Sequence, residues 1–386
     1  MKIGYMYKMH AYPPKGGNHV HALELVQGFL KAGHQVCVLD DPTMPGVSNF
    51  SGGSAEDLQA FIDNIDVLYV RVDARYLGEW PEVGACMEMG GSRPVVWEIN
   101  APANETLAFS WLGGRRLNVH ESWLKRLQRW FHASRKMPGI RKEESLRRNL
   151  AKRVDSAICV SSALKTYAVE TLGIADAIVL PNGGPLISEE EIRQRREKRA
   201  SDRFTVFYSG SAIYPWQGLD FLSAAIRLAE DRAPDIRFLL AVNQYSDSLP
   251  DGPNVEVVQG LNREQILDAI CSADACVALH PEYVWSPYRF HGSPMKLFEY
   301  MACGTAVVTS DRGQMAELIE HGSNGLLCSD SPDDILAQLM NLRDDRELAL
   351  RLGSAGRQLI QQGRSWSDNV VATLDIFTRL LETRER

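Results

Sequence analysis

"HGSPMKLFEYMACGTAVVTS", residues 291–310, places a short helix directly before a buried strand. Ser293 is a good N-cap, Pro294 suits the first helical position, and Gly304 suits the end of the helix. Lys296 falls in the first turn, where the helix already carries partial positive charge, so a cation there should cost about 0.3 to 1 kcal/mol. The stretch therefore predicts an anion bound at this helix N-terminus.

The anion that this helix end suits best is a phosphate group beside a sugar. Ser293, the first-turn amides and Lys296 would together bind phosphate oxygens. Glu299, on the same helix face, suits the paired hydroxyls of a ribose. The alternative is a weak surface ion pair between Lys296 and Glu299, worth less than about 1 kcal/mol, which leaves the position of the lysine unexplained.

On both sides of this stretch, short apolar runs alternate with helical patterns along the chain. This alternation is typical of parallel sheets covered by helices on both faces. The highly charged segment "SEEEIRQRREKRASDR" separates two such halves and reads as a solvated linker helix. We predict an α/β protein of two Rossmann-like, doubly wound domains, residues 1–188 and 200–364, facing each other across a cleft. A C-terminal helix, residues 365–386, should pack across to the N-terminal domain.

The composition is that of an ordinary globular protein, with 386 residues, 45% hydrophobic and 24% charged, and a net charge of −7. This acidic balance argues against a nucleic-acid partner. Seven cysteines without metal-ligand spacing indicate a reducing compartment and no metal site. The sequence shows no apolar signal segment and no run long enough to span a bilayer, so we expect a cytoplasmic protein.

A glycine loop follows the first strand of each half. Gly16 and Gly17, in "YPPKGGNHVHALELV", would let backbone amides approach an anion or a sugar, although a tight connecting turn is the simpler explanation for this loop taken alone. Gly210, Ser211 and Gln217, in "YSGSAIYPWQGLD", have the position of a diphosphate-binding loop. This second loop has no cation of its own.

These motifs together resemble the retaining glycosyltransferases of family 4, which have the GT-B architecture of two Rossmann-like domains. The resemblance spans nearly the whole chain and is most specific in "SPMKLFEYMACGTAVVTSDRGQMAELIEHGSNGLL". It implies transfer of a sugar from a UDP- or GDP-sugar to an acceptor hydroxyl, with retention at the anomeric carbon and without metal, cofactor or protein nucleophile. The N-terminal domain would bind the acceptor, and the C-terminal domain the nucleotide sugar.

The resemblance also implies roles for single residues. Glu299 would hold the donor ribose, Lys296 and Ser293 would hold the diphosphate, and Gly16 and Gly17 would line the reaction centre. The other donor-binding candidates are Gly210, Ser211, Gln217, Arg289, Pro294, Met295 and Leu297. The residues assigned to catalysis are Lys296, Glu299, His291 and Asn100.

Three positions depart from the family pattern. Ser211 and Gln217 stand where the family usually has an arginine and a lysine that bind the donor phosphates. His291 stands where the family usually has a glutamate that touches the donor sugar. We hypothesise that Arg289 or Lys15 restores part of the missing charge; a solvated loop arginine is the competing interpretation of Arg289.

The acceptor candidates lie at the rim of the expected cleft. Glu98, Asn100 and Glu105, in "PVVWEINAPANETL", follow or end a strand of the first domain and would contact the donor sugar or the acceptor. Lys15 and Asn18 belong to the first glycine loop. For each residue of the strand end, a structural hydrogen bond is the alternative interpretation.

One segment bears on the nature of the acceptor. Residues 111–153 contain thirteen lysines and arginines against three glutamates. Trp123, Leu127, Trp130 and Phe131 share one face of a predicted helix. Such a helix suits the anionic inner face of a membrane and a lipid-linked acceptor. The aromatics would otherwise dock the helix onto its own domain, and an acidic soluble acceptor would also suit the charge.

The favoured function is thus a glycosyltransferase that builds a glycan, a glycolipid or a glycosylated metabolite. Two alternatives stay open from the sequence. One is a nucleotide-sugar epimerase of the same fold, which would act without an acceptor. The other is a degenerate, non-catalytic subunit that binds a sugar nucleotide, as the missing arginine and lysine would suggest.

Overall fold

The computed structural model describes residues 1–8, 10, 12–14, 16–108, 110, 123–199, 201–246 and 249–385. The strands are β1 Lys2–Met6, β2 Gln35–Leu39, β3 Ser48–Phe50, β4 Val67–Val72, β5 Val95–Ile99, β6 Ser156–Cys159, β7 Ala177–Val179, β8 Thr205–Gly210, β9 Arg237–Val242, β10 Val255–Gln259, β11 Ala275–Ala278, β12 Ala306–Ser310 and β13 Leu326–Cys328. The helices are α1 Gly17–Lys31, α2 Ala55–Asp63, α3 Pro81–Met89, α4 Trp123–Ala151, α5 Ser162–Thr166 with a π-helical continuation Tyr167–Leu172, α6 Glu189–Arg196, α7 Leu219–Arg232, α8 Arg263–Ser272, α9 Met295–Ala302, α10 Gly313–Leu318, α11 Pro332–Asp344, α12 Arg346–Gln361 and α13 Trp366–Glu385. None of these helices, as far as the described residues go, has an apolar run long enough to cross a bilayer.

The strands form two parallel sheets, which confirms the predicted doubly wound α/β fold. The first sheet has the order β3-β2-β1-β4-β5-β6-β7, and the second has the order β10-β9-β8-β11-β12-β13. In each sheet the order of the strands reverses beside the strand that comes first in the chain, between β1 and β4 and between β8 and β11. Ligands of such sheets bind outside the carboxyl ends of the strands at this switch point. The loops after β1, β4, β8 and β11 therefore define where the site must lie.

The strands are buried because they are almost continuous apolar runs that lie between two helical layers. In the first sheet, Trp97 is fully buried on one face and Tyr69 on the other. In the second sheet, Phe238 and Phe207 are fully buried on opposite faces. Each domain thus has its own core, and the loops at the strand ends are held on a rigid support.

Helix α13 packs on the N-terminal domain, as predicted. The ring centroid of Phe377 lies 5.2 Å from that of Tyr69 and 6.0 Å from that of Phe29. Gly28 of α1 provides room for this contact, because a Cβ added there would lie 2.2 Å from Val370 Cγ2. The last helix therefore ties the end of the chain to the first domain.

The charged segment between the domains is not merely a solvated linker. Arg195 of α6 is only 8% exposed. Its guanidinium donates to Glu191 on the same helix at 2.7 Å, to Glu264 of α8 at 2.6 Å and to Asp268 of α8 at 2.7 Å. The local sequence pattern shows the charges of α6 but not the carboxylates of α8 that pair with them. Because of these ion pairs, the segment belongs to the C-terminal domain.

Candidate functional site

The two domains meet at the loops that follow their strands. Gly17 starts α1 directly after the first loop of the N-terminal domain, and a Cβ added there would lie 3.2 Å from Met295 Sδ at the start of α9. Gly16 has no heavy atom within 4 Å of such a Cβ. Glu24 of α1 forms an ion pair with Arg263 of α8, with Oε1 and Nη2 2.7 Å apart. The first glycine loop and α9 thus face each other across the cleft.

Lys296 lies in the first turn of α9, next to the loop after β8. Its Nζ donates a hydrogen bond of 2.7 Å to Gln217 Oε1 and lies 4.4 Å from the centre of the Tyr208 ring. Gly210 leaves room for the ammonium group, because a Cβ there would lie 2.8 Å from Nζ. Burial lowers the pKa of Lys296 to about 7, since desolvation disfavours the charged form. No carboxylate of the described residues forms an ion pair with this Nζ, so a bound anion would supply the missing partner.

Helix α9 begins one residue later than predicted, with Pro294 as its N-cap. The prediction that Ser293 caps the helix is wrong. Ser293 Oγ instead accepts a hydrogen bond of 3.0 Å from Asn182 N, and the Ser293 carbonyl oxygen accepts one of 2.6 Å from Asn182 Nδ2. Asn182 follows β7 of the other domain, so the sequence around Ser293 gives no indication of this contact. Pro294 has no polar side chain with which to cap the first-turn amides, which suits a ligand at that position.

Glu299 lies one turn further along α9 and is half-buried. Burial raises the pKa of its carboxyl group, while nearby Arg263 lowers that pKa and Glu24 raises it. Within the described part of the chain, no residue donates a hydrogen bond to the Glu299 carboxylate. Two acceptor oxygens at the cleft are thus available for hydroxyl groups of a ligand.

His291 joins the two domains and is only 1% exposed. Its Nε2 lies 2.6 Å from Glu105 Oε2 in the N-terminal domain, and its Nδ1 lies 3.0 Å from the carbonyl oxygen of Arg289. Ser161, after β6, donates from Oγ to the carbonyl oxygen of His291 at 2.7 Å. Each ring nitrogen of His291 faces an oxygen atom, so each of the two hydrogen bonds has a proton between the nitrogen and the oxygen. The structure therefore brings two predicted site residues, His291 and Glu105, into one hydrogen-bonded pair across the two domains.

Glu98 is enclosed within the N-terminal domain and is 1% exposed. Its carboxylate accepts hydrogen bonds from Tyr69 Oη at 2.7 Å and from Asn100 Nδ2 at 2.5 Å, and it lies 2.9 Å from His21 Nε2. Burial by itself raises the pKa of Glu98, but His21, the Arg71 guanidinium and the hydrogen bonds together hold this pKa well below its usual range. In this structure Glu98 does not reach the cleft, so it is not placed to contact an acceptor. It orients Asn100 at the cleft rim instead.

The remaining predicted residues differ in how far their side chains are exposed. Lys15 lies outside the described residues. Asn18 and Arg289 are exposed, and Arg289 has a left-handed φ of 55° and forms no ion pair among the residues that the structure describes. Ser211 is 8% exposed. The donor contact predicted for Leu297 is not available to its side chain, because that side chain is fully buried in the core of the second domain.

Two further residues lie at the carboxyl ends of β11 and β12. His280 Nδ1 donates to the carbonyl oxygen of Trp216 at 2.7 Å, and burial, together with the charges of Lys296 and Arg312, lowers the pKa of His280 to about 3. Arg312 donates from Nη2 to Asp330 at 2.7 Å, whereas its buried Nε and Nη1 have no hydrogen-bond partner among the described residues. Arg312 is not among the residues predicted from the sequence. The signal that could have identified it is a cation two residues after a strand, at the sheet edge where the site lies.

Comparison with known proteins gives the same architecture. Residues 203–345 match the family model "Glycosyl transferases group 1". Phosphatidyl-myo-inositol mannosyltransferase of Mycolicibacterium smegmatis is 25% identical over 356 residues, which cover 90% of this chain and 86% of that protein. An uncharacterized glycosyltransferase of Methanocaldococcus jannaschii is 23% identical over 252 residues, so the match spans only 62% of either protein. The solved structure of Anabaena HepE in complex with UDP and glucose has a TM-score of 0.67 at 16% identity, covering 98% of this chain and 100% of that chain.

The segment matched by the family model contains the loop after β8 and all of α9, which are the parts that surround Lys296. The structural likeness extends over both domains. The chain therefore has the GT-B fold, and its residues 203–345 match the family Glycosyl transferases group 1.

Proposed function

We propose that this protein is a retaining glycosyltransferase of family 4 that transfers a sugar from a UDP- or GDP-sugar to an acceptor hydroxyl. One observation carries the proposal. Lys296 is a desolvated cation without a carboxylate partner among the described residues, in the first turn of α9 and on the same helix as Glu299. The UDP and glucose bound to HepE, a protein of the same fold, support a nucleotide sugar as the donor.

In the proposed complex, the donor diphosphate lies at the first-turn amides of α9 and against Lys296. The ribose hydroxyls donate to Glu299. When the sugar leaves, negative charge grows on the diphosphate, and the helix end and the Lys296 ammonium group stabilise it. Arg312, whose charge also acts on His280, adds to the positive potential. These groups supply the charge compensation in a reaction that we propose to need no metal.

The acceptor lies on the opposite side of the cleft, near Gly16 and Gly17. Transfer with retention and without a covalent intermediate requires the acceptor hydroxyl to approach the face from which the diphosphate departs, so that the diphosphate accepts its proton. Asn100 and the pair of His291 and Glu105 would then hold sugar hydroxyls in place. In this proposal the protein orients the reactants and stabilises charge, and no side chain forms a covalent intermediate.

The proposal is tested by titration calorimetry with UDP- and GDP-sugars, followed by transfer assays with a panel of acceptors. We expect one nucleotide sugar to bind, and the product linkage to have the anomeric configuration of the donor by NMR. Lys296→Met should weaken donor binding at pH 6 by about a hundredfold, whereas Lys31→Met, at an exposed helix end, should not. Isomerised nucleotide sugar without an acceptor would identify an epimerase. Donor binding without turnover on any acceptor would identify a binding subunit, and an inverted product would refute retention.

A further inference from the structure

Helix α4 is fixed to the N-terminal domain by its C-terminal half. Arg147 is fully buried and donates to the carbonyl oxygens of Ala101 at 2.9 Å and Asp73 at 2.7 Å. Its Nε donates to Glu143 at 2.7 Å, and the same carboxylate accepts from the backbone of Leu77 at 2.9 Å. Asp73 and Ala101 belong to the loops after β4 and β5. The helix is therefore anchored at the edge of the sheet that faces the cleft.

The N-terminal half of α4 exposes an apolar tip. Leu124 is 53% exposed, Leu127 54%, Trp130 61% and Phe131 50%. At 3.6 residues per turn, these four side chains fall within an arc of about 120° on the helix surface. They face away from the buried side of the helix, so they do not dock it onto the described part of its own domain. The side chain of Trp123, predicted for the same face, lies outside the described ones.

The same outer arc continues toward the C-terminus as a row of cations, of which only Arg148 has a carboxylate partner among the described residues, with its Nε 4.0 Å from Glu144 Oε1. The exposed members of this row are Arg135, Arg141, Lys142 and Arg148. Arg135 also lies over the Phe131 ring, with Cζ 4.3 Å from the ring centre. Of the acidic residues of α4, Glu143 is buried, and half-buried Glu144 also accepts a hydrogen bond from Tyr167. A protein with a net charge of −7 thus presents one strongly cationic face.

The position of this face relates it to the acceptor side of the cleft. The helical rise of 1.5 Å per residue puts Leu124 about 35 Å along the axis from Arg147, which marks the carboxyl edge of the first sheet. The apolar tip therefore projects beyond the edge at which the proposed acceptor would enter. A second copy of the chain is a poor occupant, because two such cationic faces would repel each other.

We propose that this outer face of α4 docks on an anionic lipid bilayer, with the apolar tip among the headgroups and the cation row against the lipid phosphates. Aromatic and aliphatic side chains backed by lysine and arginine are the features that bind helices at anionic membrane surfaces. The inference goes beyond the proposed transfer reaction and would place the acceptor side of the cleft at a lipid surface. Its test uses neither donor nor acceptor, so its outcome is independent of the proposed function.

The test is flotation of the full chain with vesicles of phosphatidylcholine, with or without phosphatidylglycerol. We expect the protein to float with the anionic vesicles only, and less so as the salt concentration rises. Trp130→Ser combined with Phe131→Ser should lower the partition coefficient more than tenfold. The matched control is Leu350→Ser combined with Val371→Ser, two equally exposed apolar residues elsewhere, which should bind like the wild type.

A second pair of variants isolates the charge. Arg141→Gln combined with Lys142→Gln should weaken anionic-vesicle binding by about 25-fold, since each basic residue near such a surface contributes about fivefold. Lys165→Gln combined with Arg227→Gln removes two exposed cations from other helices and should change binding little. Unchanged thermal melting would show that each variant is folded.

Three results would overturn the proposal: equal binding to neutral vesicles, no binding to anionic vesicles, or equal loss in test and control variants. A fourth would be a dimer in light scattering that dissociates on Trp130→Ser, because the tip would then be a protein interface.

Discussion

Donor affinity should fall as the pH rises above 7, because the phosphate-binding cation becomes neutral in the free protein. Burial lowers the pKa of Lys296 to about 7. A bound diphosphate would favour the charged form and raise that pKa, so binding takes up a proton above neutral pH. At pH 9 only about one free molecule in a hundred would carry the charge, so the affinity should be about a hundredfold lower than at pH 6.

The measurement is calorimetry with the intact nucleotide sugar between pH 6 and 9, in buffers with different ionisation enthalpies. The sugar diphosphate has no phosphate that titrates in this range, whereas the terminal phosphate of free UDP titrates near pH 6 and would hide the effect. Proton uptake should be close to half a proton at pH 7 and approach one proton at higher pH. Lys296→Met should bind weakly and equally at every pH. An affinity of the wild type that stays constant from pH 6 to 9 would refute this reasoning.

The same burial predicts an opposite effect on stability. The folded pKa of Lys296, about 7, lies below the unfolded value of about 10.4, so the unfolded chain binds this proton more tightly. The contribution of Lys296 to the free energy of unfolding should therefore rise between these two pH values, by up to about 1.4 kcal/mol per pH unit. Replacing Lys296 with methionine should raise the melting temperature at neutral pH while it weakens donor binding, a combination that a misfolded variant would not show.

Three further predictions concern residues of both domains. Glu299→Gln should weaken binding of the nucleotide sugar by about tenfold but leave binding of a 2′,3′-dideoxyribose analogue unchanged in calorimetry; equal losses would mean that Glu299 does not hold the ribose. Gly28→Ala should lower the melting temperature, because the new Cβ would lie 2.2 Å from Val370 Cγ2, and adding Val370→Ala should restore part of the loss; no rescue would contradict this packing. Glu98→Gln should cost about 3 to 5 kcal/mol in urea unfolding at neutral pH, because Arg71 loses its buried ion pair. Since the pKa of Glu98 is lowered in the folded state, its stabilising effect is present above about pH 4.3 and lost below it, so the gap between Glu98→Gln and the wild type should close in acid.

Much of the fold was predictable because its signals are local. Apolar runs, helix caps and glycines indicated two parallel sheets, and Gly304 does end α9 in the left-handed conformation, with φ of 68°. Lys296 also lies in the first turn, as the spacing of Pro294 and Gly304 required. These features depend on residues within one or two turns of each other, which a single sequence contains in full.

The errors arose where distant residues compete for one group. Ser293 is a good N-cap by residue type, yet Asn182 from the other domain occupies its hydroxyl. Glu98 ends a strand near the cleft, yet Tyr69, His21 and Asn100 enclose its carboxylate. In both cases the residue type was informative, but the partners could not be identified from the neighbouring sequence. Asn182, Tyr69 and His21 each lie more than twenty positions from the residue they contact, and only Asn100 is close in the chain.

The loop after β8 lacks the lysine that the family usually has there, and a lysine of α9 lies close to that position. Gln217 stands where the family usually has a lysine, and its side-chain oxygen accepts the hydrogen bond of the Lys296 Nζ. The cation therefore lies beside the position that the resemblance assigns to the missing lysine, but it is carried by a helix rather than by a loop. A cation in the first turn opposes the helix dipole, and burial of its ammonium group adds a further cost. A bound diphosphate offsets both costs at once, which is why an otherwise unfavourable lysine fits this helix.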